Sequence, residues 1–164
     1  MDKPTLYISC GLPGAGKSTF LKANKREDEI IVSRDEIRYS LLKKEDAYFQ
    51  HELKVFNMFI QQVGEELSSG KNVYADATHL NGRSRSKLMG RLNEAFPNLK
   101  YDIEVIYFDV PLYICLERNN QRTGRARVIE DAIIHMSNIL EKPYPDYAKH
   151  LWIIDEDGIV YKEW

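Results

Sequence analysis

The sequence predicts a three-layer α/β fold, in which helices cover both faces of a five-stranded, mainly parallel sheet. Two observations carry this expectation. Short apolar, β-favouring runs alternate with helical patterns along the 164 residues, and their spacing suits right-handed crossovers between parallel strands. The first run also leads directly into a Gly-rich loop and then a helix, which is the local order a phosphate-binding loop requires.

The elements follow in order. Residues 6–10 form the first strand, and residues 18–24 read as the opening turns of a helix. Residues 29–33 are a second strand, followed by a helix over 34–42 with Ser33 or Asp35 as its cap. Within residues 46–69, Phe49, Leu53, Phe56, Ile60, Val63 and Leu67 recur every three or four positions, a single apolar stripe that reads as core. Gly70 ends that helix. Residues 72–77 form a third strand, and Asn81 caps a helix carrying Leu88, Leu92 and Phe96. Residues 101–110 alternate towards a fourth strand, with Pro111 at the first turn of the next helix. A further helix spans 129–140, and 151–155 is the fifth strand. Asp157-Gly158 reads as the turn of a terminal hairpin joining residues 151–154 to 159–161.

Composition points to one soluble domain spanning 1–164, since 43% hydrophobic and 29% charged residues are ordinary for a globular chain of this size. No apolar stretch approaches membrane-spanning length and the N-terminus resembles no signal or transit peptide, so a cytoplasmic protein without a membrane partner is expected. Cys10 and Cys115 read as small core residues. A formal charge of −2 argues against a surface coated for nucleic acid but permits a local basic funnel. No pair of histidines has metal-ligand spacing beside a third ligand. His51 and His135 fall in helices, His150 precedes a strand, and His79 has a cap or loop role or touches an acceptor.

Gly11-Leu12-Pro13-Gly14-Ala15-Gly16-Lys17-Ser18 fits the Gly-x4-Gly-Lys-Ser/Thr loop at every fixed position. Glycines at 11, 14 and 16 let successive amides turn inward around a phosphate at the positive end of a helix. Lys17 then reaches the β- and γ-oxygens of a nucleoside triphosphate, and Ser18 ligates Mg²⁺. Asp76, closing the third strand, is placed to hold the magnesium shell. It is followed by Ala77-Thr78-His79, and so lacks the adjacent glutamate that commonly activates water. Asp35, after the second strand, approaches from the opposite side and is the candidate general base for an acceptor hydroxyl, unless it serves only as a helix cap. Arg118, Arg122, Arg125 and Arg127 crowd a segment around Gly124 between two helices. This composition fits a lid over about 118–129, in which Arg118 and Arg122 swing together over the nucleotide, and equally a solvated basic helix end.

Four segments together resemble the kinase domain of the phage-type 5′-hydroxyl polynucleotide kinase. They are the phosphate loop from Gly11 to Thr19, Ser33-Arg34-Asp35-Glu36-Ile37-Arg38, Asp76-Ala77-Thr78-His79-Leu80-Asn81, and Phe108-Asp109-Val110-Pro111 with Arg118-Asn119 and Arg122 downstream. The resemblance covers about residues 4–130. It implies a P-loop fold of nucleoside-monophosphate-kinase type, with ATP and Mg²⁺ as cofactors and the nucleotide held by Gly11, Pro13, Gly14, Ala15, Gly16, Lys17, Ser18, Thr19, Arg118 and Arg122. It further implies that Asp35 deprotonates a 5′-hydroxyl, that Arg38 grips the acceptor's neighbouring phosphate, and that Lys17 and Arg122 neutralise the γ-phosphoryl group. The partner it implies is a nucleic acid 5′ end.

Two departures accompany it. The Asp76 segment is one residue longer than in the phage enzyme and carries His79 where related kinases often show asparagine. Ile153-Ile154-Asp155-Glu156-Asp157-Gly158 also leads into no phosphatase domain, so 3′ end healing would fall to a phosphatase or ligase partner on a separate chain. Two further readings remain open: a P-loop kinase acting on a small-molecule, nucleoside, sugar or charged-tRNA hydroxyl, and a non-catalytic ATP-binding switch.

Overall fold

The computed structural model describes residues 2–164. Its elements run β1 Thr5–Cys10, α1 Lys17–Asn24, β2 Ile30–Ser33, α2 Arg34–Leu41, α3 Glu52–Ser68, β3 Val73–Asp76, α4 Gly82–Ala95, β4 Asp102–Phe108, α5 Leu112–Asn120, α6 Glu130–Ile139, β5 His150–Ile154 and β6 Val160–Lys162. The strands form one sheet in the order β2-β3-β1-β4-β5-β6. The first five are parallel, and β6 pairs antiparallel with β5. The sheet therefore has one strand more than the five predicted; the addition is the outer arm of the expected hairpin, whose turn has Gly158 at φ 77°. No helix among the described residues is long and apolar enough to cross a membrane.

Each face of the sheet packs its own core. On one side Phe56, Phe59, Ile60, Val63 and Leu67 of α3 meet Leu88 and Leu92 of α4 over Leu6, Ile8, Val73, Val105 and Leu151. On the other, Leu21 of α1 and Cys115 of α5 pack with Ile106, Phe108 and Ile154. Both cysteines are fully buried, as their apolar settings predict.

The expected helical stripe starts too early. Residues 46–51 are turns, α3 begins at Glu52, and Phe49 and Leu53 are 51% and 72% exposed. Local side-chain hydrogen bonds compete with the helix here. Asp46 accepts from the Lys43 amide at 2.8 Å and meets the His51 ring at 3.2 Å, and Gln50 accepts from the Ala47 amide. His51 is consequently the residue before the helix, not a member of it. Ser33, not Asp35, caps α2, accepting from the Glu36 amide at 3.2 Å. Pro111 likewise precedes α5 as its N-cap residue, and His150 opens β5. Asn81 and Ser84 close the capping box of α4.

The carboxyl ends of β1 and β3 are stitched together, which sets where the glycine loop can lie. Ser9 Oγ donates to Ala75 and Ala77 carbonyls at 3.1 and 2.9 Å, and the Gly11 amide donates to Thr78 O at 3.0 Å. His79 lies buried beneath this junction at φ 40°, with Nδ1 2.8 Å from Ser9 O. Its role is structural, in line with the loop alternative.

Burial pushes the His79 imidazole down to about 4, below the ordinary value of about 6.5 that it regains on unfolding. As the pH falls between these values the unfolded chain takes up a proton that the folded chain refuses, so stability is lost through that window, by up to about 3 kcal/mol. His79→Asn, which tolerates the left-handed backbone and cannot titrate, is expected to flatten the decline. Urea midpoints measured from pH 7.5 to 4.5 check this; parallel curves for the two proteins would refute it.

Candidate active site

β1 runs into the loop, and α1 begins where the loop ends. Gly14 and Gly16 take φ 85° and 89°, conformations a Cβ disfavours. At Gly14 there is also no space, because a Cβ would lie 2.4 Å from Cys115 O in α5. Gly16 precedes the first residue of α1 without any side-chain cap, leaving the amides of the first turn for a ligand.

The Lys17 ammonium donates to the loop's own carbonyls, Gly11 O at 2.9 Å and Leu12 O at 2.8 Å. Burial lowers its pKa, with the Asp76 and Asp35 charges opposing the shift. No carboxylate among the described residues pairs with it at ion-pair distance. A half-buried cation served by neutral carbonyls, beside the open amides of a helix N-terminus, fits a polyphosphate. Next to it Ser18 Oγ donates to Asp76 Oδ2 at 2.6 Å. Burial raises the Asp76 pKa, and the Ser18 hydrogen bond and the Lys17 charge oppose it. Ser18 and Asp76 together fit a magnesium ion that takes its remaining ligands from phosphate and water.

A cavity of about 260 Å³ opens in front of this loop. The predicted Pro13, Gly14, Gly16, Lys17, Ser18, Asp35, Arg38, Asp76 and Arg122 all line it, so sequence positions from four separate segments converge on one space. Gly11, Ala15 and Thr19 do not: the first two are buried behind the loop and Thr19 faces solvent. Arg118 is also outside the lining. Its Nη2 donates to Glu156 O at 2.7 Å and its Nη1 lies 3.5 Å from Gly14 O, which ties the base of the lid to the phosphate loop and to the hairpin turn. Arg118 and Arg122 thus do not form one swinging pair. Arg122 is exposed, with a single long contact to Ala126 O at 3.5 Å.

On the far wall, Asp35 is 56% exposed at its side chain and Arg38 only 7%. Arg38 Nε and Nη2 form a fork–fork pair with Glu52, both contacts 2.7 Å, while Nη1 engages Asp35 and lies 3.2 Å from Tyr48 Oη. Burial opposes the Arg38 charge, but the Glu52 bond and the surrounding negative groups outweigh it and raise its pKa. Tyr48 Oη donates to Asp35 Oδ1 at 2.7 Å; burial and then the Asp35 charge push its pKa up, so it stays a donor. Asp35 is therefore held by two donors and still faces the cavity. Arg34 also lines the space, 3.4 Å from Glu52 and stacked over Phe56, with its Nε lacking a partner among the described residues.

Sequence reasoning missed Tyr48, Phe49 and Glu52 as site residues, and named Arg34 only as part of a motif. Glu52 and Phe49 sat inside a helical pattern that assigned them no chemistry. The signal available was the density of aromatic and acidic side chains just after the Arg34–Arg38 segment.

This fold and this phosphate loop are those of a P-loop nucleotide-binding protein. The chain belongs to the AAA domain family, whose model matches residues 6–143. It is 31% identical over 149 residues to the L-seryl-tRNA(Sec) kinase of Methanococcus maripaludis, covering 87% of this chain and 55% of that protein. The chain therefore spans little more than half of that relative. Among solved structures, a chain of the Pnkp1/Rnl/Hen1 RNA repair complex matches with a TM-score of 0.69 and 27% identity, over 85% of this chain and 45% of that one. A putative kinase from Chloroflexus aurantiacus matches with a TM-score of 0.74 over 94% of this chain and 86% of its own; at 17% identity it speaks for the fold alone.

Because Gly14 needs both its left-handed backbone and its missing Cβ, Gly14→Ala is expected to lower stability by about 2 kcal/mol and to abolish nucleotide binding. Titration calorimetry with ATP and a urea melt test this; retention of wild-type affinity would show that the loop has room to shift.

Proposed function

We propose that the protein transfers the γ-phosphate of ATP to a 5′-hydroxyl end of RNA or DNA. The observation that carries this reading is Asp35: a carboxylate oriented by Arg38 and Tyr48 that lines the same cavity as the phosphate loop. Phosphoryl transfer needs alignment and charge neutralisation more than covalent chemistry. In this reading Asp35 accepts the proton of the attacking hydroxyl. Lys17 and Arg122 neutralise the transferring group from the loop and lid sides. Ser18 and Asp76 hold Mg²⁺, which supplies further neutralisation when bound.

Arg38 has most of its donors committed to Glu52 and Asp35, so its part is to position Asp35. Arg34, with its unpartnered Nε, is the better cation for a phosphate of the acceptor. The cations at the mouth of the cavity, with Tyr48 and the exposed Phe49 beside them, suit a nucleic acid end, which offers phosphates and flat bases. The similarity to a chain of an RNA repair complex supports the same reading.

A second reading follows from the similarity to an L-seryl-tRNA(Sec) kinase: the hydroxyl could be that of an amino acid esterified to tRNA. Asp35 would serve there unchanged, and in both cases the acceptor hydroxyl is carried on a nucleic acid.

A panel of acceptors with γ-labelled ATP separates these. Label is expected on 5′-hydroxyl oligonucleotides; label confined to seryl-tRNA would establish the second reading, and label confined to small alcohols would overturn both. Asp35→Asn is expected to lower kcat by about 10²–10⁴-fold with ATP affinity unchanged, and normal turnover would remove it as the base. Arg34→Ala should raise the oligonucleotide KM while sparing kcat, whereas Arg38→Ala should depress kcat; the reverse pattern would exchange their assignments.

A further inference from the structure

Of the four lid arginines, one bonds to the segment between α2 and α3. Arg118 is bound to Gly14 and Glu156, Arg122 lines the space, and Arg127 stays within its own segment, 3.3 Å from Asn120 Oδ1. Arg125, in the 3-10 turn Gly124–Ala126, sends its guanidinium to the loop between α2 and α3. Nη2 donates to Lys43 O at 2.6 Å and Lys44 O at 2.9 Å, and Nη1 to Asp46 O at 3.1 Å. The Tyr39 hydroxyl of α2 lies 3.4 Å from Arg125 O in return.

These are contacts between a cation and neutral carbonyls, and Arg125 has no carboxylate partner among the described residues. A planar fork with five N–H donors suits three converging carbonyls in a way a point charge does not. The loop it holds continues directly into Tyr48 and Phe49, which line the cavity. Tyr48 packs edge-on against Tyr39, with ring centroids 6.3 Å apart, and donates to Asp35. The path from lid to carboxylate is thus Arg125, the 43–46 carbonyls, Tyr48, Asp35.

We infer that Arg125 is a positioning residue of the acceptor half-site, fastening the 43–51 loop to the lid so that lid closure on the nucleotide and the setting of Tyr48 against Asp35 are one event. The inference rests on the proposed function for the role of Asp35, but the mechanical link does not depend on which acceptor is used. Its thermodynamic consequence is a reciprocal coupling: nucleotide tightens the acceptor, and acceptor tightens the nucleotide, by the same factor.

Hydrogen exchange of residues 43–51, with and without Mg²⁺ and a non-hydrolysable ATP analogue, tests the link without any acceptor. Wild type is expected to show nucleotide-dependent slowing there; Arg125→Ala should lose it while keeping protection of the phosphate loop, and Arg127→Ala should behave as wild type. In parallel, the analogue is expected to tighten binding of a 5′-hydroxyl oligonucleotide by about tenfold in wild type and less than twofold in Arg125→Ala. Arg125→Lys, which retains charge without the fork, gives the same readout if the alanine variant does not fold. Nucleotide-dependent protection that survives in the variants, or is missing from wild type, overturns the inference. Loop protection in wild type without oligonucleotide binding would instead overturn the 5′-kinase reading and leave the link standing.

Discussion

A single half-buried ammonium organises the phosphate-loop side of the cavity. Lys17 sits where burial disfavours its charge, and among the described residues its hydrogen-bond partners are two carbonyls of the loop that carries it. Such an arrangement is poorly satisfied without an anion and well satisfied with one. Everything around it preserves that condition. Glycines keep side chains out of the cradle, Cys115 O closes its back, and the Ser9, Thr78 and His79 contacts hold the β1 and β3 ends in register.

The acceptor wall follows the opposite principle. Around Asp35 the partners are matched: Glu52 takes the Nε and Nη2 donors of Arg38, and Asp35 takes Nη1 together with Tyr48. Matching of this kind fixes the geometry of the carboxylate, and leaves only Arg34, with its unpartnered Nε among the described residues, short of a partner there. The cavity thus faces an under-satisfied cation on one side with an over-determined anion on the other.

Much of this was legible in the sequence because it is encoded locally. The phosphate loop, the alternation of strands and helices, the Asn81 cap and the Gly158 turn each depend on residues within a few positions of one another. The Asp35 and Asp76 placements followed from strand ends alone. What was not legible depends on long-range pairing or on competition between local rules. Phe49 and Leu53 continue the helical period of α3, so periodicity placed them in the core; the Asp46 and Gln50 side chains break the helix there by bonding to amides. Glu52 became visible as a site residue only once α3 had folded back on α2 to meet Arg38. Arg125 is indistinguishable by composition from its arginine neighbours, and only the folded path of the chain separates the one that bonds to the segment between α2 and α3 from the three that do not.

The attachment of Arg118 to Gly14 and Glu156 has a mechanical corollary. Arg118 holds the last turn of α5, and beyond Asn120 Gly124 adopts φ 60° with nothing within 4 Å of a would-be Cβ. Any motion of this segment would be that of a short flap instead of a hinged domain. Its ties to the rest of the chain are polar contacts, so displacing it would leave both cores untouched and belong to the fast regime of loop motion.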